Sequence, residues 1–301
     1  MLREMDEIRF ACTACGKCCT EPPEMTVLEA TKLGDVFVPA LVYRLTSLPR
    51  EDNEAAFASL MPHPHFKEMP GRELVEQLRE STAVRSAGAV VSEAGWDHHV
   101  SITARAWGYS TAGCPALNGK ECSIHARRPS TCRTVPIRYD VPAGLLVRAF
   151  RGVVDAGIAS KDPWECDVSS SAPILLRDGA LVDPEYAKAR EVGEASALAE
   201  KSLCEQILAY PLLPPLREVY PLLRQRKLVS VSFHGALAAA HDLGMLDNDA
   251  MKTFLAAQLD LIDREVTAAL ARKRREDRDT TTRFRTLRDA YASMQKTLNA
   301  V

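Results

Sequence analysis

Two tight strings of cysteine constrain this chain more than any other feature: Cys12-x-x-Cys15-x-x-Cys18-Cys19 and Cys114-x7-Cys122-x9-Cys132. Four thiols within eight residues make a nest, because cysteines three apart in a tight turn bring their sulfurs toward one point. Thiolates are the soft ligands that select zinc, copper(I) or iron–sulfur clusters. The bacterial ferredoxin run C-x2-C-x2-C-x3-C-P is reproduced through its first three ligands by Cys12, Cys15 and Cys18, with Gly16 easing the turn. Its fourth ligand is missing locally, and Cys114-Pro115 offers that dipeptide from a distance.

Adjacent cysteines direct their side chains apart in most backbone conformations, so Cys18 and Cys19 are expected to serve two metal ions or clusters lying close together. A closed tetrahedral site needs four ligands. The strings supply seven, and the eighth is Cys166, the nearest remaining thiol, or His125, which lies inside the second string and carries an imidazole. Cys204 reads differently, as a small buried apolar residue. A disulfide-stapled secreted scaffold would also cluster its cysteines. Against it, a chain of 301 residues has core enough without staples, and Met1 to Phe10 mixes acids and bases without the apolar centre of an export signal.

The formal net charge of −2 gives no electrostatic ground for nucleic acid or an anionic membrane as partner. No apolar run approaches the roughly 18 residues of a membrane span. The expectation is a cytoplasmic protein whose reduced thiols can hold metal.

Along the chain, Thr26-Val27-Leu28-Glu29 has capping-box spacing and opens a helix that Gly34 can close. Arg50 to Gly71, with three prolines, reads as loop, and Arg72 to Arg79 as a short helix. From His99 to Trp107, Val100, Ile102, Ala104 and Ala106 alternate with polar residues, the period of a strand with one buried face. Hairpins are expected around Pro142-Ala143-Gly144 and around Asp178-Gly179. The ligand strings therefore sit on loops braced by a small sheet.

Asp183-Pro184 offers an N-cap residue and a first-turn proline, starting a helical stretch that ends near Pro211. Everything beyond also reads as helical, including the largely apolar Val229 to Leu243. Arg272-Lys273-Arg274-Arg275 reads as a solvated helix end with cations complementing the dipole. The expected fold class is α+β: an irregular cysteine-rich metal-binding domain over residues 1–182, then an all-helical domain over 183–301.

Taken together, Phe10-x-Cys12-x-x-Cys15-Gly16-x-Cys18-Cys19 and Cys114-Pro115-x-Leu117-x4-Cys122-x-Ile124-His125-x-x-Arg128-Pro129-x-x-Cys132-Arg133-x-x-Pro136 resemble the YkgJ-type, or CxxCxxCC, cysteine-cluster family of zinc- or iron-chelating proteins. The resemblance implies ligands at Cys12, Cys15, Cys18, Cys19, Cys114, Cys122 and Cys132, and Cys166 could match a later cysteine that many members have. Arg128 and Arg133 match other fixed positions. Thiolate-ligated clusters are anionic, so a guanidinium beside the sulfurs would stabilise the site; the competing reading pairs each arginine with a nearby acid or leaves it on the surface. Three functions compete: an iron–sulfur or other metal-cluster protein in redox or metal handling, with a partner docking on the helical half; an S-adenosylmethionine-dependent enzyme, from the similar cluster in flagellin lysine-N-methylases; or a zinc-stapled structural domain. No glycine-rich nucleotide fingerprint supports the second. Of the histidines, at most one of His98 and His99 can face a cluster, His63 and His65 flank a loop proline, and His234 and His241 read as satisfied packing residues.

Overall fold

Alternation in the sequence becomes a strand of 12 residues, equalled in length by one other among the described residues. A computed structural model describes residues 7–19, 21–53, 55, 71–109, 113–161 and 163–300. In chain order its elements are β1 (Glu7–Arg9), β2 (Glu24–Met25), α1 (Val27–Lys32), β3 (Val38–Pro49), α2 (Gly71–Arg85), β4 (Ser86–Glu93), β5 (Trp96–Trp107), β6 (Leu117–Asn118), β7 (Glu121–Cys122), α3 (Ser130–Arg133), α4 (Leu146–Ile158), β8 (Ile174–Arg177) and β9 (Ala180–Leu181). There follow α5 (Pro184–Ala199), α6 (Lys201–Ile207), α7 (Leu216–Arg226), β10 (Leu228–Ser232), α8 (His234–Asp242), α9 (Asn248–Arg272) and α10 (Arg278–Asn299). The fold is thus α+β, with a helix-rich C-terminal region. Most of the expected loop from Arg50 to Gly71 lies outside the described residues, as do His63 and His65.

The chain forms two compact units, neither continuous in sequence. One comprises Met1–Thr20, Thr46–Val100 and Leu117–Ala199; the other comprises Glu21–Leu45, Ser101–Ala116 and Glu200–Val301. The boundary expected after residue 182 falls inside the first unit.

In the first unit, β1 pairs antiparallel with β8 through Glu7↔Arg177 and Ile8↔Leu176, and β8 turns into β9 through Asp178 and Gly179 at φ 50° and 77°. Two successive positive φ angles are the requirement of the tight hairpin turn that Asp-Gly favours. Below this sheet lies an apolar cluster that includes Ile8, Phe10, Ile137, Leu146, Phe150, Val154 and Leu176, with Phe10 and Phe150 edge to face at 5.9 Å. The second hairpin expectation is corrected: Ala143–Leu145 is a 3-10 turn leading into α4. Leu146, Phe150, Val154 and Gly157 are the buried residues of α4 and fall on one helical face, a period that only shows once the pattern is followed past Phe150. Helix α5 begins as its sequence demands, with the Asp183 carboxylate accepting from Tyr186 N at 2.8 Å.

In the second unit, Thr26 caps α1 in full: its hydroxyl accepts from Glu29 N at 3.2 Å while the Glu29 carboxylate accepts from Thr26 N at 3.0 Å. Thr26→Ala is expected to lower stability by about 1 kcal/mol, read from the shift in denaturant midpoint. Gly34 does not close this helix. Leu33 does, and Gly34 is needed because a Cβ there would stand 2.5 Å from the Phe254 ring. Phe254 in turn meets Phe233 and Tyr291 at 5.9 and 5.7 Å, joining α9 and α10 into the core.

Two further expectations need correction. The helical stretch after Asp183 is divided at Glu200 into α5 and α6, and Val229 to Ser232 is not helical. Lys227 at φ 64° ends α7, and the Val-Ser-Val-Ser alternation then pairs with β3 from Leu228↔Arg44 to Ser232↔Ala40. At the end of α9, Arg272, Lys273, Arg274 and Arg275 are exposed, as expected, and Arg272 also bonds the buried Asp277 at 3.0 Å. Among the described residues, no helix is long and apolar enough to cross a membrane.

Candidate metal centre

The first cysteine string is an irregular loop that two left-handed residues fold back on itself: Ala14 at φ 56° and Gly16 at φ 73°, after which Cys19 N bonds Gly16 O at 2.9 Å. Glycine at position 16 answers to space as well as to φ. A Cβ there would lie 2.9 Å from Lys120 O and 3.1 Å from a Leu117 methyl, so the loop rests directly on the β6–β7 hairpin, whose Leu117 pairs with Cys122. Gly16→Ala is expected to lower metal affinity about tenfold, because the left-handed backbone alone costs roughly 1–2 kcal/mol for an L-residue; a chelator-competition titration checks it.

A third segment arrives from far along the chain. Ala11 and Asp167 form an antiparallel bridge, Ala11 N to Asp167 O at 2.8 Å and Asp167 N to Ala11 O at 3.1 Å, which brings Cys166 alongside Cys12. The Thr13 hydroxyl donates to Glu165 O at 2.8 Å. The Glu165 carboxylate meets Lys17 at 3.4 Å and Lys120 at 3.8 Å, so it touches the first string and the hairpin at once. Sequence reasoning missed this brace of Thr13, Lys17, Lys120 and Glu165. Only the position of Glu165 beside Cys166 hinted at it.

Electrostatics show which thiols are neighbours. The Cys18 thiol is pushed far up by its hydrogen bond with Cys19, by burial, and by the nearby sulfurs of Cys19, Cys12 and Cys15. Cys19 is brought down to about 7, chiefly by the bond with Cys18 and further by the Arg128 guanidinium, against the effect of burial. The adjacent thiols of Cys18 and Cys19 thus act on one another, the first shifted up and the second down. Cys166 is raised by burial and by Cys15 and Cys12. For Cys15, burial acts upward, and hydrogen bonds from Lys17, Glu165 and Thr13 outweigh it, leaving the thiol below its ordinary value. Five thiols, Cys12, Cys15, Cys18, Cys19 and Cys166, thus share one neighbourhood.

The remaining candidates are placed as follows. Cys122 closes the hairpin under Gly16. Cys132 is half-buried in α3, its N–H on Pro129 O at 2.9 Å. Cys114 is half-buried and lies in the segment belonging to the second unit. His125 sits exposed in the 3-10 turn His125–Arg127. Arg128 acts on Cys19, whereas Arg133 turns to backbone, donating to Arg128 O at 2.8 Å and Ala126 O at 3.0 Å. Elsewhere, His98 and His234 share hydrogen bonds with Ser47 and Ser232, and His241 with Asn248, each at 2.8 Å. Cys204 is buried, with its Sγ 3.8 Å from Ile102 O.

No cysteine of the described residues is in a disulfide, and no group of three or more His, Cys, Asp or Glu side chains among them is placed to hold a metal ion. By chemistry alone, thiolates are nonetheless the donors that a thiophilic cation prefers. Sulfurs that raise one another's proton affinity are sulfurs whose ionised forms repel, and a bound cation removes that repulsion.

No curated protein and no solved structure matches the chain. Residues 11–144, a little under half of it, match the family CxxCxxCC, described as a "putative zinc- or iron-chelating domain". That span takes in both cysteine strings, and over it the chain is similar to this family.

Proposed function

We propose that the cysteine cluster holds an iron–sulfur centre and serves electron transfer or the handling of iron. The observation that carries this reading is the Ala11–Asp167 bridge, which sets Cys166 beside the loop that bears Cys12, Cys15, Cys18 and Cys19, so that five thiols are offered where a single structural zinc uses four. A centre ligated wholly by thiolates supplies reversible one-electron chemistry and leaves no open position for hydrolysis. Arg128 beside Cys19 supports it further, since a guanidinium offsets the negative charge of such a centre and raises its potential. A redox partner docking on the helical region belongs to the same proposal. Anaerobic purification with iron, sulfide and zinc analysis tests it. A brown protein with acid-labile sulfide, bleached by dithionite, is the expected result, and a colourless protein with stoichiometric zinc would overturn it.

Zinc is the second reading, favoured by the Ala11–Asp167 bridge, which makes the cluster a clasp between distant segments. In that case a chelator would unfold the first unit cooperatively, and no redox wave would be seen.

A further inference from the structure

Helix α5 presents Tyr186, Arg190 and Gly193 at positions i, i+4 and i+7, one stripe along a helical surface. All three meet the segment that leaves Cys132. The Tyr186 hydroxyl accepts from Ile137 N at 2.8 Å and lies within bonding reach of the carbonyls of Thr134 and Ile137, donating its one proton to either. The two terminal nitrogens of Arg190 donate to Arg138 O and, at 2.6 Å, to Val141 O. At Gly193 a Cβ would stand 2.7 Å from the Tyr139 ring and 2.9 Å from its own Cβ, so only a bare Cα lets the helix approach.

The segment so held is buried, with Thr134 and Ile137 at 0% exposure and Tyr139 and Asp140 at 4%. Backbone polar groups there are removed from water and need protein partners, which the side chains of α5 provide. Upstream the linkage is short. Thr134 N and Oγ1 return to Ser130 O at 3.1 and 2.9 Å, closing the turn that contains Cys132. Between the clamp and the thiol lie a single helical turn and no free loop.

We infer that α5 is a positioning element for the metal centre, with Tyr186 and Arg190 fixing where the Cys132 sulfur stands. The inference rests on the reading of Cys132 as a metal ligand. It assigns a role in the site to residues beyond the matched segment 11–144.

A mutant cycle tests it, using the protein reconstituted with Co2+ so that sulfur-to-metal charge-transfer absorbance reports on thiolate ligation. Tyr186→Phe keeps the ring and removes the hydroxyl. It is expected to speed metal release to a chelator by about tenfold, the size usual for a lost outer hydrogen bond to a ligand, and to lower the charge-transfer band as Cys132→Ser does. In the Cys132→Ser background it should have no further effect, because both changes act through one sulfur. Arg190→Gln runs the same cycle should Tyr186→Phe not fold by circular dichroism. Unchanged release in Tyr186→Phe while Cys132→Ser releases faster would overturn the inference alone, as would an equal acceleration in both backgrounds. Should Cys132→Ser hold Co2+ as tightly as the parent, the ligand reading of Cys132 fails, and the role of α5 with it.

Discussion

Cys166→Ser is expected to weaken metal binding by roughly a hundredfold, while Cys204→Ser leaves it unchanged. Structural thiolate sites bind with about 10–16 kcal/mol shared over four ligands, so losing one costs on the order of 3 kcal/mol, and about 1.4 kcal/mol is a factor of ten. Cys166 is committed to the cluster by backbone, since the Ala11–Asp167 bridge sets it beside Cys12, and its thiol responds to Cys15 and Cys12. Serine keeps the size but not the softness or the acidity of the ligand. Cys204 has a different setting. It is 7% exposed on α6, faces Ile102 O, and its thiol is pushed up by burial and by Glu200. Metal content and chelator competition on the two variants decide the matter: equal losses at both positions would mean that the change acts through folding, not ligation.

Raising the pH from 5 to 8 is expected to remove about 2.5 kcal/mol of stability through one side chain, Glu200. Its carboxylate is 3% exposed and accepts from Val27 N and Leu28 N, both at 2.6 Å. Burial pushes its pKa from 4.5 up to about 7; bonds from Leu28 N, the Thr26 hydroxyl and Val27 N pull it down, and Glu29 adds to the rise. Between those two values the folded chain holds a proton that the unfolded chain has released. The contribution is therefore complete below the unfolded value and is lost as pH climbs through the folded one. A tenfold difference in proton affinity between the folded and unfolded chain is worth about 1.36 kcal/mol, which gives the magnitude. Glu200→Gln cannot titrate, and its one acceptor oxygen faces two N–H groups, so the variant should be the weaker at pH 5 and close the gap by pH 8. Urea titrations at both values check this; parallel pH profiles for parent and variant would rule out Glu200 as the source.

The local signals in the sequence translate well where a short stretch determines its own geometry. Alternation marks β5, Asp178-Gly179 marks its hairpin, and Thr26 with Glu29 marks a complete capping box. Errors arise where one apolar run allows two periods. Leu145 to Phe150 looks like half a hairpin until Val154 and Gly157 extend the helical face, and Val229 to Ser232 merges by composition with the helix after it. Long-range pairing leaves no trace in the residue pattern. Nothing in the spacing announces that β1 meets β8, and that pairing is what carries Cys166 to the first string. The cysteines are legible as candidate ligands by type, but the lowering of Cys19 is not, because it depends on the neighbouring Cys18 thiol and on the Arg128 charge.

The bridge between Ala11 and Asp167 also sets a timetable for biosynthesis. Translation proceeds at about 5–20 residues per second, so roughly 8–30 s pass between the emergence of Cys12 and that of Cys166. During that interval a nascent chain displays four reactive sulfurs with neither their distant companion nor the strand that secures it. A metal centre that uses Cys166 cannot be completed until the segment near residue 177 has left the ribosome, and oxidants have their best opportunity before then.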